Sequence, residues 1–326
     1  MFIDSILDLQ TAISGAPTEG VDFLTRFAPT VRKIEREYIA PFFPVATIAH
    51  LQSANPDPGL NDEEQYLKEL LTEAVAHLST WKFSFTAAVV QTASGLQTFK
   101  NDNFQDSAKY AKQDYREEHE NDGLTALEAA LRFAVIQKED IRGFEDSREY
   151  QAATTGLLNF SKDYDIVRAW ISTKTFNVIK PNIALIERES VIPMLGATFY
   201  DALRAAQYDQ NLTPSKKRTL LNLLRGGIAQ YAIRLGIEMN LVTLNGNQVT
   251  VIEMKNGDDK QTQTMPRKDL YEVAAANREA FGLRYFAQAK AFLVENATDL
   301  AWTDPSAAVS TYVAPTEKTQ VGVKTI

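Results

Sequence analysis

One thirteen-residue string occurs twice in this chain and constrains its fold more than any other feature. Residues 29–41 read PTVRKIEREYIAP, and residues 181–193 read PNIALIERESVIP. Pro29, Ile34, Glu35, Arg36, Glu37 and Pro41 return, without a gap, as Pro181, Ile186, Glu187, Arg188, Glu189 and Pro193. Such a repeat implies two copies of one folding unit, and it sets the architecture before any local pattern is considered. The 326 residues suffice for two domains of ordinary size, each able to bury its own core.

Apolar spacing extends the correspondence. Leu24, Phe27, Val31, Ile34 and Tyr38 step by 3, 4, 3, 4, as do Phe176, Ile179, Ile183, Ile186 and Ser190. This is one face of an amphipathic helix. Proline lacks an N–H and clashes with the preceding turn. Pro29 and Pro181 are therefore expected in a first turn or at a kink, and Pro41 and Pro193 at the helix ends. A second helix follows in each copy, with Leu67, Leu71, Val75 and Leu78 matched by Leu220, Leu224, Ile228 and Tyr231. Its expected starts are Asn61-Asp62-Glu63-Glu64 and Thr213-Pro214-Ser215, which supply capping side chains and, in copy two, a proline at the first position.

The period then changes. Residues 85–99 hold two β-prone runs around Ser94-Gly95, and residues 240–252 hold two around Asn245-Gly246-Asn247. Asn-Gly between β-branched runs is a strong hairpin signal. Helical sequence closes each copy, over Ala108–Glu120 and Leu124–Ile141 in the first and Lys268–Asn296 in the second. The expected fold is mainly α (α+β), with two tandem helical repeats, a small β-hairpin in each, and an extended C-terminal arm. The expected divisions are an N-terminal segment (1–20), repeat 1 (21–144), a connecting segment (145–173), repeat 2 (174–297) and the arm (298–326).

Composition narrows the function. Hydrophobic residues at 44% and charged residues at 23% are those of a globular protein. A net charge of −8 argues against a broad nucleic-acid-binding face, though not against a local basic patch. The absence of cysteine removes disulfides, thiolate nucleophiles and cysteine-bound zinc. The N-terminus, MFIDSILD, has neither the positive start nor the apolar run of a signal peptide, and no stretch approaches the length of a membrane span. Synthesis and folding are expected in a cytoplasm, with no membrane partner.

The twin P-x4-IERE-x3-P helices, VIPMLGATFYDAL at 191–203, the SGLQ and NGNQ hairpins, and FEDSREYQAATTGLLNFSKDY at 144–164 carry a resemblance. In the order of these parts, roughly over residues 21–302, the chain resembles a family of two-repeat structural proteins from phages and prophages of Bacteroides-type bacteria. The resemblance implies a virion protein of the head–tail connector or neck type. Such a subunit would form a homo-oligomeric ring beneath a portal, contact portal and neck or tail proteins, and surround passing DNA without reading its sequence. Copy one departs from the pattern at Phe43-Pro44, where copy two has Leu195-Gly196. A tail, baseplate or injection-system adaptor is the neighbouring alternative, and a cytoplasmic ligand-binding protein or enzyme the distant one.

No glycine-rich phosphate loop, GxSxG elbow or HExxH motif is present, and no catalytic residue, cofactor or metal site is expected. His50, His77 and His119 are far apart in sequence, and His77 aligns with Gln230. Glu35, Arg36, Glu37 and their copies Glu187, Arg188, Glu189 have two readings: a helix face with one charge anchoring a neighbouring backbone, or contact with an adjacent subunit. Lys216, Lys217 and Arg218 form the densest basic run and are unfavourably placed at a helix start. They read as a solvated face, or as a contact for DNA or an acidic partner. Tyr312, in the arm, completes the candidate subunit interface. Gly226-Gly227 is expected to permit close helix packing. Trp81 and Trp302 are expected in cores; Tyr150, Phe160, Tyr164 and Trp170 are expected to pack the copies together or to face a neighbour.

Overall fold

A computed structural model describes residues 1–13, 21–53, 59–87, 89–92, 95–98, 107–208, 215–239, 241–245, 248–251 and 268–305. The first unit begins with α1 (Ile6–Ala12), whose Ser5 and Asp8 cap each other's backbone N–H groups, and continues into α2 (Val21–Ile34). A π-helical turn, Glu35–Ile39, extends α2. Then come α3 (Val45–Gln52) and the long α4 (Asp62–Ala87), started by Asn61, whose Oδ1 accepts from the Glu64 N–H at 2.6 Å. Strands β1 (Val89–Thr92) and β2 (Gly95–Thr98) pair antiparallel, and the long α5 (Ser107–Ile136) packs back along α4. The short α6 (Arg148–Ala153) ends the unit.

The second unit repeats this order. A 3-10 helix, Ser161–Val167, and strand β3 (Trp170–Ile171) precede α7 (Thr173–Ile186). A second π turn, Glu187–Val191, then leads into α8 (Ile192–Leu195), α9 (Ala197–Ala206) and the long α10 (Ser215–Glu238). Strands β4 (Val242–Asn245) and β5 (Gln248–Val251) form the second hairpin, and β3 adds to β5 in parallel. The long α11 (Lys268–Glu295) and the short α12 (Ala297–Leu300) complete it. The fold is mainly α with two tandem repeats, as the repeated string requires. The hairpin tips Ser94 and Gly246-Asn247, the cap Thr213-Pro214, and residues 306–326 of the arm lie outside the described residues.

Two local expectations are corrected and two are narrowed. Of the two places expected for Pro29 and Pro181 the first turn is excluded, since both sit in the interiors of α2 and α7. Both are exposed, and so are Thr25 and Asn177, the residues four back whose carbonyls the prolines cannot serve; water can bond those carbonyls there. Pro193 does not end its helix. It occupies the start of α8, directly after the π turn, and the helical run stops at Gly196 with φ of +80°. The break expected at Asn121-Asp122-Gly123 is absent: α5 is continuous and ends at Ile136 rather than at Ile141. Trp170 is 77% exposed on the edge strand β3, which excludes the first of its two expected roles, packing the copies together.

Two apolar cores form. One gathers Phe27, Val31, Leu71, Val75 and Phe144 with Phe2, Ile3 and Leu9. The other gathers Phe176, Ile183, Leu224, Ile228 and Trp302 with Leu157, Leu158 and Tyr164. Within each unit the two long helices approach closely at glycine. A Cβ at Gly123 would stand 2.7 Å from Leu78 Cγ, and one at Gly227 would stand 2.5 Å from Phe286 Cε1. These helical glycines make room for the opposing side chains, so Gly227 has the packing role its sequence suggested.

Candidate functional site

The repeated charges of the π turns divide by direction. Glu35 Oε1 accepts from the Phe2 N–H at 2.7 Å and from Gln52 Nε2 at 3.1 Å. Glu187, buried, accepts from the Leu157 N–H at 2.6 Å and from the Tyr200 hydroxyl at 2.9 Å. Burial raises the Glu187 pKa, and those hydrogen bonds offset part of the rise. Both carboxylates thus hold the backbone of an earlier segment. Arg36, Glu37, Arg188 and Glu189 point to solvent; Glu37 lies 3.8 Å from Lys33, and Arg188 lies 3.5 Å from Glu189.

The same anchoring extends the repeat beyond its legible limits. Asp8 Oδ2 accepts from the N–H groups of Asp4 and Ser5, and Asp163 Oδ2 accepts from those of Asn159 and Phe160. Residues 1–13 and 156–168 are therefore one part of the unit, met twice. One such part lies in the N-terminal segment (1–20) and the other in the connecting segment (145–173).

In the basic run, Lys216 pairs with Asp299 of α12, Lys217 is half-buried and Arg218 is exposed. Asp299 answers the unfavourable placement of a cation at the start of α10. Tyr312 lies outside the described residues.

Helices α4 and α5 bring together two histidines that the sequence separates. His77 Nδ1 and His119 Nδ1 are 2.8 Å apart, with Tyr115 edge-on to His119 and Asp122 Oδ2 3.9 Å from His77 Nδ1. One ring must donate and the other accept, so the pair excludes a proton on both facing nitrogens. Burial lowers the His119 pKa, and His77 lowers it further. The second unit fills the same seat with Gln230, which accepts from Arg278 Nη1 at 3.0 Å. Sequence comparison aligned His77 with Gln230 but missed His119 with Arg278, because the offset between the copies grows from 153 at the hairpins to 159 along α11. Among the described residues no three His, Asp or Glu side chains come together as metal ligands.

Between the units lies an open groove of about 260 Å³, with Tyr66, Glu128, Arg132 and Phe133 on one side and Ser161 and Lys162 on the other. Glu128 Oε1 accepts from both the N–H and the hydroxyl of Ser161 at 2.7 Å. Glu120 and Lys174 pair at 3.0 Å nearby. Burial lowers the pKa of Lys180, and Glu128 partly restores it. The second unit is thus seated on α5 by matched polar contacts.

Fold and contacts together define a tandemly duplicated, mainly helical protein whose repeated glutamates, Glu35 and Glu187, anchor its own backbone. The chain belongs to a family of unknown function, DUF6712, whose sequence model matches it twice, at residues 37–154 and 191–312. No curated protein and no solved structure matches the chain.

Proposed function

We propose that this protein is a structural subunit of a bacteriophage-like particle, a head–tail connector or neck adaptor that assembles into a ring at the portal–tail junction. One observation carries the assembly part of this reading: the unequal cover of the two long closing helices. Helix α5 bears the second unit on its outer face, through Glu120 and Glu128. Its counterpart α11 turns Val273, Leu283 and Val294 to solvent. Exposed apolar residues that share one face of a helix mark an interaction site where they join into a patch. The particle itself enters through the resemblance of the IERE helices, hairpins and their order to phage structural proteins.

Quantitative mass spectrometry of purified particles tests the reading. The expected result is a low, fixed copy number, on the order of a dozen per particle, as a closed cyclic ring gives. Absence from intact particles would overturn it.

A further inference from the structure

We infer that the outer face of α11 receives the first unit of a second copy of this chain, in the arrangement the second unit already takes on α5. The premise is a residue-by-residue correspondence. Gly123 lies under Leu78, and Gly282, 159 positions later, lies under Tyr231. His119 meets His77, and Arg278 meets Gln230, at the same offset. Both helices end at that offset too, at Ile136 and Glu295.

Carried across, this register compares the two outer faces. Helix α11 exposes Ala276, Ala280, Leu283, Ala287, Ala291 and Val294, in steps of three and four. The α5 positions are Glu117, Asn121, Leu124, Glu128, Arg132 and Val135. Glu128 is buried against Ser161, whereas Ala287 is exposed; Leu124 is half-buried, whereas Leu283 is 55% exposed. The first unit has its cover over Leu124 and Glu128, while Glu117, Asn121 and Arg132 stay exposed. The second shows the equivalent surface, made apolar.

The occupant follows from what covers α5. Those residues are Lys162 of the 3-10 helix, and Thr173, Lys174 and Lys180 of α7. The anchoring equivalence of Phe2 with Leu157 and of Asp8 with Asp163 makes Lys162 the counterpart of Leu7. The equal ends of α2 and α7 make Lys180 the counterpart of Ala28. The substitutions are matched across the contact. Where Lys162 and Arg132 stand across the groove within the chain, Leu7 and Ala291 stand across the contact between chains. Where Lys180 faces Glu128, Ala28 faces Ala287. Leu7 is 69% exposed, so its side chain is available to such a contact. The one charged pair that does not carry over needs no partner: Glu279, the counterpart of Glu120, already binds Arg234 at 3.2 Å.

The contact is head-to-tail, so each chain offers a first unit and a second unit to different neighbours. Repetition closes into a ring or extends as a filament. The inference deepens the proposed function and rests on it for the ring setting alone; its geometry comes from the duplication.

The lack of cysteine makes the test direct. Full-length Leu7→Cys and Ala291→Cys variants are mixed at high concentration and oxidised, with Arg188→Cys replacing Leu7→Cys as an exposed control. The expected heterodimer yield is roughly tenfold above the control, because a disulfide forms only where Cα atoms come within about 7 Å. The double variant Leu7→Cys/Ala291→Cys should give a ladder of oligomers, and adding Leu283→Lys should abolish it without changing the circular dichroism spectrum. Yields equal to the control, or no ladder from a folded double variant, would overturn the contact. Cross-linking together with absence from particles would instead leave the contact standing and remove the particle.

Discussion

Glu35 and Glu187 stand 152 positions apart and hold the same post: each heads a π turn and accepts a backbone N–H, from Phe2 at 2.7 Å and from Leu157 at 2.6 Å. The turn matters to this contact. A π turn fits one extra residue into the helix and so changes the direction of the side chains around it. Glutamate at its head faces inward, and the arginine and glutamate after it face out.

Replacing Glu187 with alanine would leave the Leu157 N–H and the Tyr200 hydroxyl unpaired, at a cost of roughly 2–4 kcal/mol. Glutamine keeps an acceptor oxygen and sheds the buried charge, so Glu187→Gln should stay within about 1 kcal/mol of the parent. The raised folded-state pKa also has a sign. The native state favours the protonated acid, so this residue's contribution is greatest below the ordinary pKa of 4.5 and falls as pH rises through the folded value. Denaturant midpoints for both variants across pH 4–8 check all three statements.

Acidification should weaken the first unit at the histidine seat. The His119 pKa is lowered by burial and by His77, so the unfolded chain takes up the proton first. The contribution is complete above the unfolded value of 6.5 and is lost as pH falls through the folded one. The double variant His77→Gln/His119→Arg, which copies the Gln230–Arg278 pair, should remove that part of the pH dependence. A melting-temperature series from pH 8 to pH 5 compares the two proteins.

The two tryptophans on described segments of the second unit should behave oppositely. Trp302 is buried and donates from Nε1 to the Leu195 carbonyl at 3.0 Å; its change to alanine should cost about 3–5 kcal/mol. Trp170 is exposed, and its change should stay within about 0.5 kcal/mol. Chemical denaturation of the two variants separates them.

Gly227→Ala tests the close approach of α10 and α11. In an open helix this change would stabilise by about 1 kcal/mol. Here the new methyl meets the Phe286 ring, and overpacking of about 1–3 kcal/mol should win. A net destabilisation of about 1 kcal/mol is expected in thermal unfolding; a stabilised variant would show that the ring can move aside.

Sequence revealed the repeat, the order of its helices and both hairpins, because apolar period and turn residues are local signals. It concealed the first part of each unit. Residues 1–13 and 156–168 share Asp8 with Asp163 but almost nothing else, and the evidence that joins them is backbone hydrogen bonding, which any side chain permits. It concealed the histidine pair because a six-residue length difference broke the register before α11. It misjudged Gly123, which resembles a helix stop until Leu78 is seen above it. Exposure of Trp170 was illegible too, since an edge strand looks like any other two residues.

The π turns also record an order of events. An extra residue in a helix is an insertion that shifts everything beyond it, and two copies would hardly acquire it separately at one matched position. The insertion therefore belonged to a single ancestral unit, and the doubling of that unit came afterwards. The exchange between a histidine pair and a glutamine–arginine pair is younger still, as is the divergence of Glu128 from Ala287. What the two halves share, the glutamate anchor above all, was settled in the ancestor; what distinguishes them arose after the doubling.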